Sequence, residues 1–392
     1  MEWVKLGEIA SLITKGTTPT TLGFDFVDEG INFIKIESIS EEGSFISNKF
    51  NHITSECDNK LSRSRLQKND LLFSIAGAIG RTAIVTDDIL PANTNQALAL
   101  IRIPEGVINY SYLKYVLQSS VVSDQFEKRK QGVAQLNISL KDVANFNIPL
   151  PSQAAQQMIV EILGGVEVII SLRKQQLAKL DELVKSRFVE MFGDPVENTK
   201  KWTVHFLCDV CTKLTDGTHF SPESYETGEY RYVTAKNIKI SGFDFSNITY
   251  VNADVHNEIY ARCNPEYGDV LYIKDGVTTG IAMVNTLHEP FTMLSSVALL
   301  KQNRAIVDGT YLCGVLNNQH MYDAIRSDMG GAAITRLTIT KLNRIEIPVP
   351  PLALQQQFTA FVEQIDKSKL AVQQSIDQLE TLKKSLMQKY FG

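Results

Sequence analysis

The chain has 392 residues, 44% of them hydrophobic and 21% charged, and a net charge of −5. That length holds two or three domains with cores of their own, and the composition is that of a soluble globular protein. The acidic balance argues against indiscriminate nucleic-acid binding but leaves room for a local basic cleft.

In chain order, short apolar runs bounded by Gly, Pro, Asn or Asp predict strands over residues 31–36, 70–75, 82–85 and 97–103. A short helix follows over 110–118, and Arg129-Lys130 reads as its solvated surroundings. Asn147-Ile148-Pro149-Leu150-Pro151 forces an extended backbone. Ser152 is then placed to cap a proline-free helix reaching 192. The second half predicts strands over 230–235, 269–274, 281–284 and 296–300, and a short helix over 311–318. Glu346-Ile347-Pro348-Val349-Pro350 follows, and Pro351 suits the first position of another long helix.

These halves are one pattern written twice. Asp70-Leu71-Leu72-Phe73 returns 199 residues later as Asp269-Val270-Leu271-Tyr272, Gln156-Gln157 as Gln355-Gln356, and Trp3 as Trp202. Near the start the offset becomes 201, matching Thr14-Lys15-Gly16-Thr17 to Thr215-Asp216-Gly217-Thr218. Solenoid repeats run about 20–50 residues, so this period denotes two whole α+β units.

Each long helix carries a line of alternating three- and four-residue spacing. One line runs Leu163, Val166, Ile170, Arg173, Leu177, Leu180, Val184, Arg187, Met191; the other runs Val362, Ile365, Lys369, Val372, Ile376, Leu379, Lys383, Leu386, Tyr390. Two heptad lines in one register predict a coiled coil. A 40-residue helix is about 60 Å long. The second unit begins and ends beside helix termini, so antiparallel helices spare it from spanning that length. The expectation is an antiparallel two-helix coiled coil with one unit at each end, related by a pseudo-two-fold axis.

Catalytic strings are missing. The chain has no G-x-x-x-x-G-K-[ST], no Asn/Asp-Pro-Pro-aromatic, no H-E-x-x-H, no G-x-S-x-G and no histidine cluster. Asp269 and Lys274 have the spacing of a nuclease pair, but the first copy has Asp70 and Ile75, so Asp269 reads as a turn aspartate opening a strand. Cys208-Asp209-Val210-Cys211 is a lone CxxC whose counterparts are Gly7 and Ala10. Five cysteines form no disulfide framework. No apolar run approaches about 20 residues and no signal-peptide h-region opens the chain, so a cytoplasmic protein with no membrane partner is expected. No metal or cofactor is expected, and the chain reads as a binder without chemistry of its own.

Several of these segments together resemble the specificity subunits of type I restriction-modification enzymes. They are residues 70–81, Asn93-Thr94-Asn95-Gln96-Ala97, residues 132–151 with Gln156-Gln157, Asp216-Gly217-Thr218-His219, Lys236-Asn237-Ile238, residues 269–280, and Ile347-Pro348-Val349-Pro350 with Gln355-Gln356. The resemblance runs essentially end to end, although the residue before Gln-Gln, often glutamate in that family, is Ala155 or Leu354 here. It implies target-recognition domains over 1–151 and 200–350, spacer helices over 152–193 and 351–392, and one half of a split double-stranded DNA sequence read by each domain. It also implies two methyltransferase subunits docked on the helices, motor-nuclease subunits joined to that core, and no catalysis by this chain. The alternatives are a complete nuclease or methyltransferase, and a coiled-coil scaffold with two ligand-binding domains not specific for DNA.

Phosphate contacts need Lys, Arg and backbone amides, while base edges are read by Arg, Lys, Asn, Gln and hydroxyls. Lys60, Arg63, Arg65 and Lys68 form a basic loop cluster, either for phosphate or merely solvated. The matched glycine loops offer Lys15, Thr17 and Thr18, and Thr218 and His219, unless they only end strands. Arg81 closes one glycine-flanked turn; Lys274, Thr278 and Thr279 belong to the other. Asn93, Asn95 and Gln96 have the chemistry to read adenine or to build a turn, and Lys236, Asn237 and Arg336 complete the candidates.

Overall fold

A computed structural model describes residues 2–127, 137–327 and 336–392. Arg129, Lys130 and residues 132–136 of the family-like pattern lie outside the described residues. The chain divides into two units: Met1–Arg173 with Ser375–Gly392, and Lys174–Gln374. Each unit therefore combines a globular part with a piece of both long helices.

In the first unit, Leu12–Lys15, Leu98–Arg102, Leu71–Ser74 and Thr82–Ile84 form an antiparallel four-stranded sheet in that spatial order. Side chains alternate across a strand. Leu71, Phe73, Ala99 and Ile101 enter a core with Tyr112, Leu113, Leu163 and Phe391. Leu72, Leu98 and Leu100 enter the opposite core with Ile34 and Ile39. Burial on both faces explains why these strands read as unbroken apolar runs. A three-stranded sheet joins Asn51–Ile53, Ile31–Ile34 and Ala92–Thr94, the last pair being parallel. Glu2–Lys5 pairs antiparallel with Asn147–Leu150, which is the extended backbone expected of the proline segment.

The second unit repeats this plan. Cys211–Asp216, Val297–Gln302, Val270–Ile273 and Ala282–Val284 build the four-stranded sheet. Val270, Tyr272, Ala298 and Leu300 face one core, and Leu271, Ile273, Val297 and Leu299 the other. Thr249–Val251, Tyr230–Val233 and Thr292–Met293 form the three-stranded sheet, and Thr203–Phe206 pairs with Glu346–Val349. The second unit has a hairpin, Ile238–Lys239 with Gly242–Phe243, where the first has a single antiparallel bridge, Ile39 with Phe45.

The long helices are Gln153–Phe192 and Leu352–Phe391. Every position of the two heptad lines is buried or half-buried. In the second unit, Asp181 pairs with Lys369 at 2.6 Å and Phe192 meets Phe358 at 5.5 Å, eleven residues forward on one helix and eleven back on the other. The helices are therefore antiparallel there. The same sense holds in the first unit, where Glu167 pairs with Lys383 at 2.8 Å and Leu163 shares a core with Leu386 and Tyr390. The Ser152 hydroxyl accepts from the Ala155 amide at 3.4 Å, as a cap should, while Pro351 sits one residue before its helix.

A matched lock fastens each helix to its unit. Gln156 Nε2 donates to the Pro151 carbonyl at 2.9 Å and its Oε1 accepts from the Asn109 amide at 2.8 Å. Gln355 donates to the Pro350 carbonyl at 2.8 Å and accepts from the Asp308 amide at 2.8 Å. The Tyr112 and Tyr311 hydroxyls donate to the Pro149 and Pro348 carbonyls. Burial pushes the Tyr112 phenol up to about 12 and Tyr311 higher still.

One helix bears on the membrane expectation without overturning it. Gln153–Phe192 contains an 18-residue window of mean hydropathy 1.5, so by length and composition alone it suffices to cross a membrane. The unbroken-run criterion missed it because scattered polar residues interrupt the window; Leu163, Val166 and Ile170 from this helix are buried in the fold.

Candidate functional site

Strand register places the candidate loops. In the first unit Lys15 pairs with Ala99, and Ser74 with Leu98. Loops 15–18, 75–81 and 93–97 therefore leave the same end of the four-stranded sheet. Loop 35–39 joins them, since Arg81 Nη1 donates to the Ile36 carbonyl at 3.2 Å and the Ile39 carbonyl at 2.8 Å. In the second unit Asp216 pairs with Ala298, and Ile273 with Val297, so loops 216–219, 274–280 and 293–296 converge likewise. Loop 234–237 reaches them where the Ala235 amide donates to Ser296 Oγ at 3.2 Å.

The glycine in each first loop is required by close approach. A Cβ on Gly16 would lie 1.6 Å from the Thr94 carbonyl oxygen, and one on Gly217 would lie 2.0 Å from that of Met293. This presses 15–18 onto 93–97. The Gly16 amide donates to the Asn95 carbonyl at 3.1 Å, and Thr18 Oγ1 donates to Gln96 Oε1 at 2.6 Å. Arg63 Nη2 donates to the Lys15 carbonyl at 3.3 Å. Lys15, Thr17, Thr18, Arg63, Asn95 and Gln96 thus form one surface, all exposed or half-exposed.

Other candidates are used up inside the fold. Asn93 is fully buried; its Nδ2 donates to Asp58 and the Leu61 carbonyl, and its Oδ1 accepts from Ser64 and the Thr94 amide. It builds a turn and leaves nothing for a base. Asn237 is buried between Thr234 and the Asp244 carbonyl. Thr279 is buried and donates to the Gly276 carbonyl at 2.7 Å. Thr218 is 4% exposed, with its hydroxyl on Phe220 backbone.

The expected basic loop over 60–68 is not one cluster. Lys60 ends the helix Ser55–Lys60, and Arg63 lies in the 3-10 turn Ser62–Ser64. Arg65 is held by Asp58 and Asn59. Lys68 pairs with Asp87 beside the start of strand Leu71–Ser74, at the opposite end of the sheet from Lys15. Asp70 and Asp269 are turn aspartates as expected, accepting from the Gln67 and Glu266 amides at 2.7 and 2.8 Å. Lys274 pairs with neither.

Instead Lys274 is 2% exposed, and its Nζ lies 3.3 Å from Asp216 and 3.1 Å from Asp275. Asp216 also holds His219 Nε2 at 3.1 Å and Arg262 Nη1 at 3.2 Å, and Asp275 holds Arg336 Nε at 3.4 Å. Lys236 and Thr278 are exposed nearby in sequence on the converging loops, and Val277 beside Thr278 is 91% exposed. Two residues were missed from sequence, Asp216 as a hub and Arg262 as a brace. Arg262 Nη2 donates to the Gly217 carbonyl much as Arg63 does to that of Lys15. Its signal was the repeat itself, because Arg262 lies 199 residues after Arg63.

Known proteins agree with this architecture. A family model for the type I restriction modification DNA specificity domain matches residues 1–182 and again 199–381. The EcoBI specificity subunit of Escherichia coli is 35% identical over 187 residues, covering 45% of this chain and 38% of that protein. The chain's match thus spans about two fifths of that relative's length. The MjaIX specificity subunit of Methanocaldococcus jannaschii is 22% identical over 402 residues, covering 98% and 90%. Among solved structures, a chain from a study of type I R-M complex assembly and conformational transition superposes with a TM-score of 0.62 at 18% identity, covering 100% and 97%. The type I S subunit from M. genitalium gives 0.52 at 15% identity, covering 100% and 96%. Those two likenesses are of fold.

Proposed function

This chain belongs to the family of type I restriction modification DNA specificity domains, and from that premise we propose that it reads a bipartite double-stranded DNA target, one half-site per unit. The supporting observation is the repeated placement of four loops at one end of each four-stranded sheet, on matching backbone frames with different side chains. A shared frame with unlike loop chemistry suits two unlike half-sites, as half-site geometry does in dimeric DNA binders.

In the first unit Lys15 and Arg63 supply positive charge for phosphate, and Thr17, Thr18, Asn95 and Gln96 supply groups for base edges. Lys60 and Arg81 flank them. In the second unit His219, Lys236, Thr278 and Arg336 take those roles. Residues 1–151 and 200–350 are the reading domains, and 152–193 and 351–392 the spacer helices. The helices dock two methyltransferase subunits, and motor-nuclease subunits join through that core. The chain itself supplies recognition and no catalysis, and it works in the cytoplasm with DNA. Family membership disfavours a scaffold with ligands other than DNA.

Co-expression of the full chain with its methyltransferase, followed by mapping of methylated adenines, tests this reading. The expected outcome is a two-part consensus with a fixed unread gap. Methylation without such a consensus, or none with a folded complex, would overturn it.

A further inference from the structure

The two units share a backbone frame around residue 75 and residue 274. The Ile75 amide donates to the Ala97 carbonyl and its carbonyl accepts from the Ile138 amide, both at 2.9 Å. The Lys274 amide donates to the Ser296 carbonyl at 2.9 Å and its carbonyl accepts from the Leu337 amide at 2.8 Å. In the first unit the side chain in that frame is apolar and 3% exposed. In the second it is an ammonium, 2% exposed, between two carboxylates. The fold therefore does not need a cation there, and burying one is costly unless it is paired.

What Lys274 does is visible in what its partners hold. Asp216 and Asp275 are themselves 5% and 20% exposed in their side chains, while His219, Arg262 and Arg336 are 58%, 50% and 58% exposed. One buried ammonium fixes two carboxylates, and these fix three groups on the exposed loop end. Arg262 spends its terminal nitrogens on Thr215, Asp216 and the Gly217 carbonyl, so it braces the 215–217 loop. Arg336 Nε faces Asp275 Oδ1 at 3.4 Å as an ion pair without a hydrogen bond, which leaves its planar pair of terminal nitrogens for a base edge or phosphate.

We propose that Lys274 is a positioning residue that sets the specificity of the second half-site reader. It touches no DNA; through Asp216 it orients His219 and the 215–217 loop, and through Asp275 it orients Arg336. This rests on the DNA-reading function proposed above. The first unit has Lys15, Ile75 and Ala76 at the corresponding places, so its reader is built without such a hub.

The test uses the full chain co-expressed with its methyltransferase and two variants. Lys274→Met leaves both carboxylates without their buried partner. The triple variant Asp216→Asn, Lys274→Ile, Asp275→Ala takes the first unit's residues at 274 and 275 and removes the three buried charges together, so it keeps the assay informative should the single variant fail to fold. Wild type giving no bipartite consensus would sink the functional reading itself. With a wild-type consensus in hand, each folded variant is expected to leave the first half-site unchanged. The original second half-site should lose about tenfold or more of its methylation preference, with degenerate bases in its place. A uniform fall at all sites with the consensus intact would mark a merely structural lysine, and an unchanged second half-site in the triple variant would overturn the proposal.

Discussion

The first unit and the second unit agree in their interiors and part company at one end of one sheet. Both bury the four-stranded sheet on two faces, lock a glutamine against a proline carbonyl, and use a glycine to press one loop onto another. At the loops, the first unit presents Lys15 and Arg63 against a neutral polar surface, whereas the second ties Arg262, His219 and Arg336 to Asp216 and Asp275. A lysine on a flexible stem suits the diffuse charge of a phosphate backbone, and an arginine fixed by a carboxylate suits a directional contact. The lesson is that a duplicated frame preserves what folds the chain and frees what faces the ligand.

The largest effect tests the shared interior. Phe391 and Phe192 occupy matching places, 4% and 2% exposed, against Tyr112 and Tyr311. Phe391→Ala and Phe192→Ala should each cost about 3–5 kcal/mol. Hydrogen exchange should place the first loss in the first unit and the second loss in the second unit. Marked inequality would break the equivalence of the cores.

Next come the turn aspartates. Asp70 is fully buried against Arg102 at 2.7 Å, and Asp269 lies 2.9 Å from Lys301. Removing one charge of a buried pair costs about 3–5 kcal/mol, and the part-exposure of Arg102 and Lys301 reduces this to about 2 kcal/mol. Urea unfolding of Asp70→Asn and Asp269→Asn should give similar losses; a loss confined to one would mean the turns are not equivalent.

The loop ends should then respond differently. Arg63→Ala should weaken DNA binding by the complex several-fold and lower the salt dependence by about one phosphate contact. Arg262→Ala should relax the second half-site with the salt slope kept, because its nitrogens already hold Thr215, Asp216 and Gly217. Equal salt slopes for the two variants would contradict the distinction. The smallest effect belongs to Cys208, which is exposed and stands where the first copy has glycine. Cys208→Ser should move stability by less than about 0.5 kcal/mol in thermal unfolding, with or without a chelator.

Most of the frame was legible because it is written in local pattern and written twice. The apolar runs at 70–75 and 269–274 and the heptad lines are strong signals, and their agreement across 199 residues adds weight to each. Less legible was pairing between distant segments, such as Glu2–Lys5 with Asn147–Leu150, since nothing local in residues 2–5 names its partner. The polar helices Ser55–Lys60 and Ala253–Arg262 lack an apolar stripe long enough to stand out. At the site, residue type announced polarity without announcing direction. Asn93 and Gln96 look alike in sequence, yet one is sealed in a turn and the other is exposed. Lys274 looked like a contact and is an internal counterion, a difference set by Asp216, 58 positions away.

The division of the chain has a consequence for biosynthesis. Residues 375–392 belong to the first unit, where Phe391, Leu386, Met387 and Tyr390 cover its apolar core. They are translated only after all of Lys174–Gln374. At about 5–20 residues per second, the nascent first unit waits about 10–40 s with that face uncovered. The unit begun first is completed last, and during that interval its uncovered core face is the part of the nascent protein that a chaperone would have to shield.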